Sequence, residues 1–305
     1  MRFTLRQLEI FLAVAREENV SRAAEQLNLS QSATSAALQE LEAQSGGPLF
    51  DRVRKRLKLN DRGRLVLPHA QALVDQAGEL EGLLRNDTAL GPLHLGATLT
   101  LGNYPATLLI ADYLNRQPGA KASLEVANTA RIVERLVAME LDVGLVEGHC
   151  AHPELVTEPW GEDVLSVFAA PDHPLAGKAE ITPADLAATP WILREKGSGT
   201  RDTLERAVAD VVPEMTVRLE LEHTEAIKRA VESGLGIGCI SRLALRDAFR
   251  RGSLVPLATP YLDLRRRFHL VMHREKVKTA ACRAFLAICQ EALAVGLENL
   301  GRPVP

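Results

Sequence analysis

Apolar residues recur at helical spacing at the start of the chain and predict a short first helix. Its inward stripe consists of Leu5, Leu8, Phe11, Leu12 and Ala15. The helix is expected to end near Glu18–Asn19. Ser21 is the predicted N-cap of a second short helix, which turns Ala24 and Leu27 inward and breaks at Asn28–Leu29.

A third helix is predicted from Gln31, with Ser30 as its N-cap. Its other face is small and polar, and its inward positions are Ala33 or Ala37, Leu38 and Leu41. Two short helices joined by a tight turn match the helix-turn-helix, whose second helix enters the DNA major groove. The same pattern also occurs as a plain structural hairpin, so these residues alone leave both interpretations open.

The polar face of the third helix offers side chains suited to reading DNA. A glutamine can hydrogen-bond adenine N6 and N7 at once, and short hydroxyls reach bases or phosphates. We take the side chains of Gln31, Ser32, Thr34 and Ser35 as exposed. The candidate DNA-contacting residues of the helices are Ser21, Ser30, Gln31, Ser32, Thr34, Ser35 and Gln39.

Positive charge is concentrated directly after this helix, where Asp51 and Asp61 are outnumbered by Arg52, Arg54, Lys55, Arg56, Lys58, Arg62 and Arg64. Such a run is usually a solvated face. Beside a recognition-type helix it is typical of a wing whose cations meet phosphates or the minor groove. We therefore expect Arg52, Arg54 and Lys55 to contact DNA, and the net charge of -3 is no objection because it averages over domains.

A narrow apolar seam follows on a segment from about Gly63 to Asn86 and predicts a linker helix. The seam consists of Val66, Ala70, Leu73, Ala77, Leu80 and Leu84. It suits a symmetric dimer contact, and the alternative is packing on the chain's own domains. Pro68 falls in its first turns, and Asn86–Asp87 followed by Gly91–Pro92 end the helix.

Strands alternate with helices in the rest of the chain, which predicts parallel sheets. Strands are expected at 93–97, 124–126 and 143–146, with helices at 105–116 and 131–139. The stretch from Val133 to Val146 echoes the stretch from Ile227 to Ile240 at constant offset, which predicts two lobes of similar build. Crossovers near Glu162–Val164 and Arg267–Phe268 complete a periplasmic-binding-protein-like sensor.

The predicted fold class is α/β with an N-terminal all-α winged helix-turn-helix, a long linker helix and a C-terminal two-lobed periplasmic-binding-protein-like domain. The expected boundaries are 1–62 for the winged helix-turn-helix, 63–90 for the linker and 91–305 for the two lobes. Lobe one takes about 91–162 and 268–301, and lobe two takes about 163–267.

Ligands of such folds bind in the cleft, where helix N-termini present free N–H groups and favour anions. The candidate ligand-binding residues follow the strand ends and are Thr98, Thr100, Asn128, Thr129, Glu147, Ser198, Gly199, Thr200, His223 and Glu225. Ordinary N-capping is the alternative role of Ser198 and Thr200. Glu147 and Glu225 favour a cationic group or pair with Arg201 or Arg242.

An enzyme is not expected, because the glycine-rich stretches at 197–199 and 234–238 match neither a P-loop nor a Rossmann fingerprint. His149, Cys150 and His152 lie close in sequence but lack a fourth metal ligand, so we expect no metal and no cofactor. The sequence also lacks a secretory h-region and a membrane-spanning apolar run, which predicts a cytoplasmic protein with no membrane partner. A small-molecule-binding protein without a regulatory role remains the alternative.

Several fragments, in this order and spacing, resemble the LysR-type transcriptional regulators. They are Leu8-Glu9-Ile10-Phe11, Ser21-Arg22-Ala23-Ala24, Leu29-Ser30-Gln31-Ser32-Ala33-Thr34-Ser35, Leu41-Glu42, Gly47-Pro48-Leu49-Phe50-Asp51-Arg52 and Leu59-Asn60-Asp61-Arg62-Gly63. The stretch Gly197-Ser198-Gly199-Thr200-Arg201 is similar to the branch of sulfur-assimilation and carbon-fixation regulators. Ser32 and Ala36 depart from the family, where proline and a basic residue are common.

The resemblance implies a homo-oligomer, a dimer or a tetramer, that pairs through its linker helix and binds an interrupted promoter dyad on double-stranded DNA. It also implies a small-molecule co-inducer, for which an anion is one candidate class, and RNA polymerase as a further partner. We expect ligand binding to close the lobes and thereby to alter the assembly on DNA.

Overall fold

The computed structural model describes residues 3–54, 56–84, 90–148, 150–212 and 214–295. Its N-terminal domain is a helix-turn-helix followed by a two-stranded antiparallel wing. The elements are α1 (Leu5–Glu17), α2 (Val20–Gln26), α3 (Gln31–Gln44), β1 (Phe50–Val53) and β2 (Arg56–Leu59). The rings of Phe11 and Phe50 lie 5.5 Å apart between centroids and join the wing to the helices in one core.

The cap of α2 corrects one prediction. The Asn19 side chain accepts hydrogen bonds from the backbone N–H groups of Ser21 and Arg22, so α2 begins at Val20. Ser21 therefore lies in the first turn and is not the N-cap. Ser30 caps α3 as predicted, since its hydroxyl accepts from the Ala33 N–H.

The inward face of α3 is turned by one position relative to the prediction. Thr34 is fully buried rather than exposed, because its hydroxyl donates to the Ser30 carbonyl and its side chain shares a face with Leu38 and Leu41. Ala33 is exposed instead, and of the two alternatives Ala37 is the one that packs inward.

The linker helix α4 spans Asp61–Leu84 and has two different halves. Near its start Leu67 and Ala70 pack on the chain's own N-terminal domain, so the seam is not wholly available to a second copy. Farther along, Leu73, Leu80 and Leu84 are exposed, as a dimer seam requires. The predicted stop at Asn86–Asp87 lies outside the described residues.

The start of α4 is closer to the wing than predicted. A Cβ on Gly63 would lie 2.2 Å from the carbonyl oxygen of Leu49, the residue before β1. Only glycine therefore fits where the first turn of α4 crosses the start of the wing. Since the helix already begins at Asp61, Pro68 lies in its interior, and the Arg64 carbonyl lacks its intrahelical donor.

The remaining elements form two lobes. Lobe 1 contains β3 (Leu93–Thr98), α5 (Leu99–Leu101), a π-helical turn (Gly102–Ala106), α6 (Thr107–Arg116), β4 (Ala122–Ala127), α7 (Thr129–Val137), β5 (Val143–Glu147) and α12 (Ala280–Val295). Lobe 2 contains α8 (Pro183–Ala188), β7 (Trp191–Arg194), α9 (Gly199–Val208), β8 (Val217–Leu221), α10 (Thr224–Glu232), β9 (Ile237–Ser241), α11 (Arg242–Arg251) and β10 (Val255–Pro256).

Two long strands run through both lobes: β6 (Leu155–Ala169) and β11 (Arg265–His273). They pair antiparallel, with Arg267 opposite Glu162 and a bulge between Phe268 and His269. The strand order is β4-β3-β5-β11-β6-β9-β7-β8, and β10 pairs with β6. Each lobe thus presents the same parallel trio, β4-β3-β5 and β8-β7-β9, which confirms the predicted similar build of the lobes. The predicted constant offset is wrong, because α7 and α10 are offset by one residue more than β5 and β9.

Each lobe has its own apolar core. In lobe 1 Trp160 and Phe285 are buried, and the Trp160 indole N–H donates to the Cys289 carbonyl. In lobe 2 Trp191 is buried, and its indole N–H donates to the Leu186 carbonyl. The predicted helix at 105–116 begins earlier, because α5 and the π-helical turn lead into it directly from β3.

Candidate ligand cleft and DNA-binding surface

One buried guanidinium joins the two lobes. The Arg266 side chain is 1% exposed and lies between the carboxylates of Glu147 and Asp163. Its Nη2 donates to Glu147 Oε2 at 2.9 Å, and its Nε donates to Asp163 Oδ2 at 2.8 Å. It also donates to the hydroxyls of Thr200, at 3.0 Å, and Thr100, at 3.2 Å. Residues from α5, β5, β6 and α9 therefore meet at one side chain.

One guanidinium is shared by two carboxylates at this centre. Burial alone would lower the pKa of Arg266, but the charges of Glu147 and Asp163 outweigh it and the pKa is raised. The second oxygen of Asp163 accepts from the Ser241 hydroxyl at 2.8 Å. Both carboxylates are consequently held by partners in the cleft.

The N-termini of α7 and α9 face each other across the cleft. The Ala130 N–H donates to the Gly197 carbonyl at 3.4 Å, which is a direct bond between the lobes. A Cβ on Gly199 would lie 2.1 Å from the Glu147 carbonyl oxygen, so glycine is required for this approach. Beside it the Thr129 hydroxyl is buried and has no hydrogen-bond partner among the described residues.

The lobes also meet at a second point. Tyr104, in the π-helical turn of lobe 1, packs against the apolar cluster of lobe 2 that contains Ile227 and Ile240. Burial, with the nearby charges of Glu225 and Asp247, raises the pKa of Tyr104 to about 12. Its phenol is therefore neutral, and this contact is apolar.

The predicted ligand residues fall into two groups. Thr100, Glu147 and Thr200 converge on Arg266, and Thr129 and Gly199 adjoin them where the lobes touch. Asn128 and Ser198 cap α7 and α9, and the Thr98 hydroxyl is directed to the Leu145 carbonyl. His223 and Glu225 are exposed.

The predicted partners of the two glutamates are wrong. Glu147 pairs with Arg266 rather than with Arg201 or Arg242, and Glu225 pairs with Lys228 at 2.6 Å. The sequence analysis missed Arg266. Alternation along the predicted crossover strand would have turned one residue of Arg265-Arg266-Arg267 inward and identified it.

Of the predicted DNA-contacting residues, Thr34 is buried and is therefore not available to DNA, whereas Ser30 is exposed. Gln31, Ser32 and Gln39 are exposed on α3, Ser35 is half-buried, and Ser21 is exposed on α2. On the wing Arg52 and Arg54 are exposed and have no ion-pair partner within the described ranges. Lys55 lies outside the described residues, and Arg56 and Lys58 both pair with Glu18.

Within the described part of the chain, no cluster of His, Cys, Asp or Glu is arranged to hold a metal ion; His149 lies outside that part. The described helices also include none that is long and apolar enough to cross a membrane.

Comparisons with known proteins match both halves of the chain. The family model for the bacterial regulatory helix-turn-helix protein, lysR family, matches residues 5–64, and the model for the LysR substrate binding domain matches residues 86–294. The uncharacterized HTH-type transcriptional regulator YeiE of Escherichia coli (strain K12) is 44% identical over 96% of this chain and 99% of its own.

A RuBisCO operon transcriptional regulator of Allochromatium vinosum is 34% identical over 93% of this chain and 95% of its own, which confirms the resemblance to carbon-fixation regulators. The regulatory domain of Synechocystis PCC6803 CcmR, solved in complex with 2-PG, is 32% identical, covers 67% of this chain and 97% of its own, and gives a TM-score of 0.61. The chain belongs to the LysR family of DNA-binding transcription regulators, with an N-terminal helix-turn-helix and a C-terminal effector-binding domain.

Proposed function

We propose that the effector of this regulator is a small oxyanion bound between the lobes, where α7 and α9 meet. The observation that carries the proposal is the buried Thr129 hydroxyl without a partner, directly beside Gly199. A buried donor left unpaired costs free energy, and a bound oxygen atom would remove that cost. The proposed contacts are Thr100, Thr129, Ser198, Thr200 and Arg266.

The helix N-termini of the cleft favour an anion as the ligand. The first amides of α7 and α9 have no intrahelical acceptor, and both helix dipoles direct partial positive charge into the cleft. The two carboxylates that a cation would need, Glu147 and Asp163, are already bound to Arg266. Glu225 does not supply a third, because it is exposed and paired with Lys228.

Isothermal titration of the full chain with sulfate, phosphate and small carboxylates at constant ionic strength tests this proposal. Thr129→Val removes the hydroxyl and keeps the shape, so it should weaken oxyanion binding about 10- to 100-fold, as expected for a hydrogen bond to a charged group. The matched control is Thr189→Val, since that buried hydroxyl is already bonded to the Asp185 carbonyl. Unchanged affinity in Thr129→Val, or binding of organic cations alone, would contradict the proposal.

We also infer that α3 reads base edges with Gln31, Ser32, Ser35 and Gln39, while Arg52 and Arg54 meet the backbone or minor groove. Gln31→Ala should relax base preference at one position by about 1–3 kcal/mol. Arg52→Ala should weaken specific and random DNA alike and reduce the salt slope by about 0.9. Equal losses on both kinds of DNA for Gln31→Ala would contradict the reading role.

The same proposal places the protein in the cytoplasm as a dimer or tetramer on a promoter dyad, in reach of RNA polymerase and without a catalytic role. The exposed Leu73, Leu80 and Leu84 of the linker helix support pairing with a second copy. Sedimentation of wild type and Leu80→Lys, with and without DNA, measures the assembly.

A further inference from the structure

Helix α7 ends in a backbone geometry that normally calls for glycine. Its last turn is a Schellman motif, in which the Glu140 N–H donates to the Arg135 carbonyl and the Met139 N–H donates to the Leu136 carbonyl. Met139 consequently has φ +58, in the left-handed region that disfavours side chains. A methionine at this position needs a compensating contact.

The compensating contact is with the N-terminal domain. Met139 is 2% exposed, and among the described residues it is the one member of the N-terminal apolar cluster that comes from the effector-binding domain. That cluster includes Val14 of α1 and Leu67 and Ala70 of α4. The side chain thus fastens lobe 1 to the helices that position α3.

A buried lysine holds the turn in place. The Lys276 ammonium donates to the carbonyls of Met139, at 2.9 Å, and Leu141, at 3.0 Å. It also pairs with Asp142 at 2.8 Å, and both of those side chains are under 10% exposed. The turn is therefore fixed relative to lobe 1, and its position reports the position of that lobe.

The opposite end of α7 lies at the proposed effector site. Thr129 and Ala130 form its first turn and touch lobe 2 at Gly197 and Gly199. The nine-residue helix spans about 13 Å at 1.5 Å per residue. Ile132 is fully buried on the sheet, so the helix moves as one body. One rigid element therefore ends in the cleft and in the N-terminal domain.

The equivalent helix of lobe 2 lacks this extension. Helix α10 ends in the same Schellman motif, but the left-handed position is Gly234, with φ +75 and open space beside it among the described residues. The starts of α7 and α10 are 95 positions apart and those of β5 and β9 are 94 apart, so the turn after α7 is one residue longer.

We propose that Met139 is the contact that transmits the state of the effector cleft to the DNA-binding domain. When the lobes close or part at the N-terminus of α7, lobe 1 moves together with this helix, and Met139 shifts the packing between α1 and α4. The change in DNA affinity then depends on this side chain. The identity of the signal as an oxyanion rests on the proposed function, whereas the route through α7 does not.

A double-mutant cycle on the full-length protein tests the route without any ligand. Gly199→Ala forces the lobes apart, because its Cβ would meet the Glu147 carbonyl. Affinity for the promoter fragment upstream of the gene is measured by fluorescence anisotropy for wild type, Gly199→Ala, Met139→Gly and the double variant. We expect Gly199→Ala to change affinity at least fivefold in the wild-type background and less than twofold in Met139→Gly.

Met139→Leu is the matched control, since it keeps an apolar side chain at the same backbone position. In this background Gly199→Ala should still change DNA affinity at least fivefold. In the Gly234→Met background, Gly199→Ala should also change DNA affinity at least fivefold. An equal response to Gly199→Ala with and without Met139, or no response in the wild-type background, would overturn the proposal. Circular dichroism confirms that each variant is folded.

The same four proteins are then titrated with inorganic sulfate at constant ionic strength. A wild type that does not bind sulfate, with the cycle as expected, rejects the oxyanion and leaves the route through Met139 supported. Sulfate binding together with a failed cycle rejects the route and leaves the effector site supported.

Discussion

Helices α7 and α10 hold equivalent places in the two lobes, yet in the part of the chain that the structure describes only α7 ends in a contact with the N-terminal domain. Both begin with a buried threonine, Thr129 and Thr224, at the carboxyl end of a strand. At the far end α10 stops at an exposed glycine, whereas α7 stops at Met139, which is buried in the N-terminal domain. The duplicated lobes thus supply two equivalent helices, and among the described residues only α7 ends at the N-terminal domain.

The two helices differ in function: both lobes form the ligand cleft, but the contact with the DNA-binding domain comes from lobe 1. Both lobes contribute to the cleft through Arg266 and the facing helix N-termini. Among the described residues, only lobe 1 contacts the apolar core of the DNA-binding domain, through Met139, whose left-handed backbone conformation disfavours a side chain.

The largest effect is expected from separating the lobes. Arg266→Met leaves Glu147 and Asp163 buried without their partner, which should lower the free energy of unfolding by about 3–5 kcal/mol. Combining it with Glu147→Gln and Asp163→Asn should recover most of that loss. Urea unfolding measures both. A loss below about 1 kcal/mol in Arg266→Met would contradict the role of this residue as the joint between lobes.

The packing of α7 and the packing of α10 against their sheets can be disturbed separately. A Cβ on Gly144 would lie 2.7 Å from Leu136 of α7, and one on Gly238 would lie 2.7 Å from Phe168 beneath α10. Each alanine variant should lose about 1–3 kcal/mol of stability by overpacking. Only Gly144→Ala should alter DNA affinity. An equal DNA effect of Gly238→Ala would remove the distinction between the helices.

Substituting the left-handed residues at the ends of α10 and α7 tests whether burial of Met139 compensates for its unfavourable backbone conformation. Gly234→Met places an exposed side chain in the left-handed region with nothing to pack against, so it should cost about 1 kcal/mol. Met139→Gly relieves that strain but loses the burial of the side chain, and the two effects partly cancel. Thermal unfolding compares them. Stabilisation by Gly234→Met would contradict the account.

The smallest expected effect is the pH dependence of stability caused by two carboxyl groups near Met139. Burial raises the pKa of Asp75 and of Glu140, and it outweighs the nearby cations, and for Asp75 the Gln71 hydrogen bond, that lower them. Gln71, Lys276, Asp142 and Arg16 face Asp75, while Arg135, Arg16, Glu125 and Arg131 face Glu140.

Because the folded structure favours the protonated carboxyls, their contribution to stability is present at low pH. It is lost as the pH rises through the raised values. Unfolding followed upward from the ordinary pKa values of 3.8 and 4.5 should show this trend in wild type and a flatter one in Asp75→Asn. A steeper trend in the variant would contradict the sign.

Local patterns predicted much of this molecule. Alternation and helical spacing located the strands and helices, and the internal repeat predicted two alike lobes. Thr34 was misplaced because one hydrogen bond from its hydroxyl to the Ser30 carbonyl decides which face of a small polar helix is buried. Asn19 rather than Ser21 became the cap for a similar reason: both residue types cap well, and only the turn geometry chooses between them.

The joints between domains could not be predicted in the same way. Arg266 is recognisable only when strands from both lobes are brought together, since its partners lie up to 166 positions away in the sequence. Met139 gives no signal at all, because methionine is not a residue expected at a left-handed helix end. Its position follows from packing against a domain that the local sequence does not reveal.

The most direct measurement of the central claim is hydrogen exchange of the amides of α1 and of the first half of α4, in wild type, Gly199→Ala, Met139→Gly and the double variant. Gly199→Ala should alter protection of those amides in the wild-type background and leave it unchanged when Met139 is replaced by glycine. Equal changes of protection in both backgrounds would contradict the account.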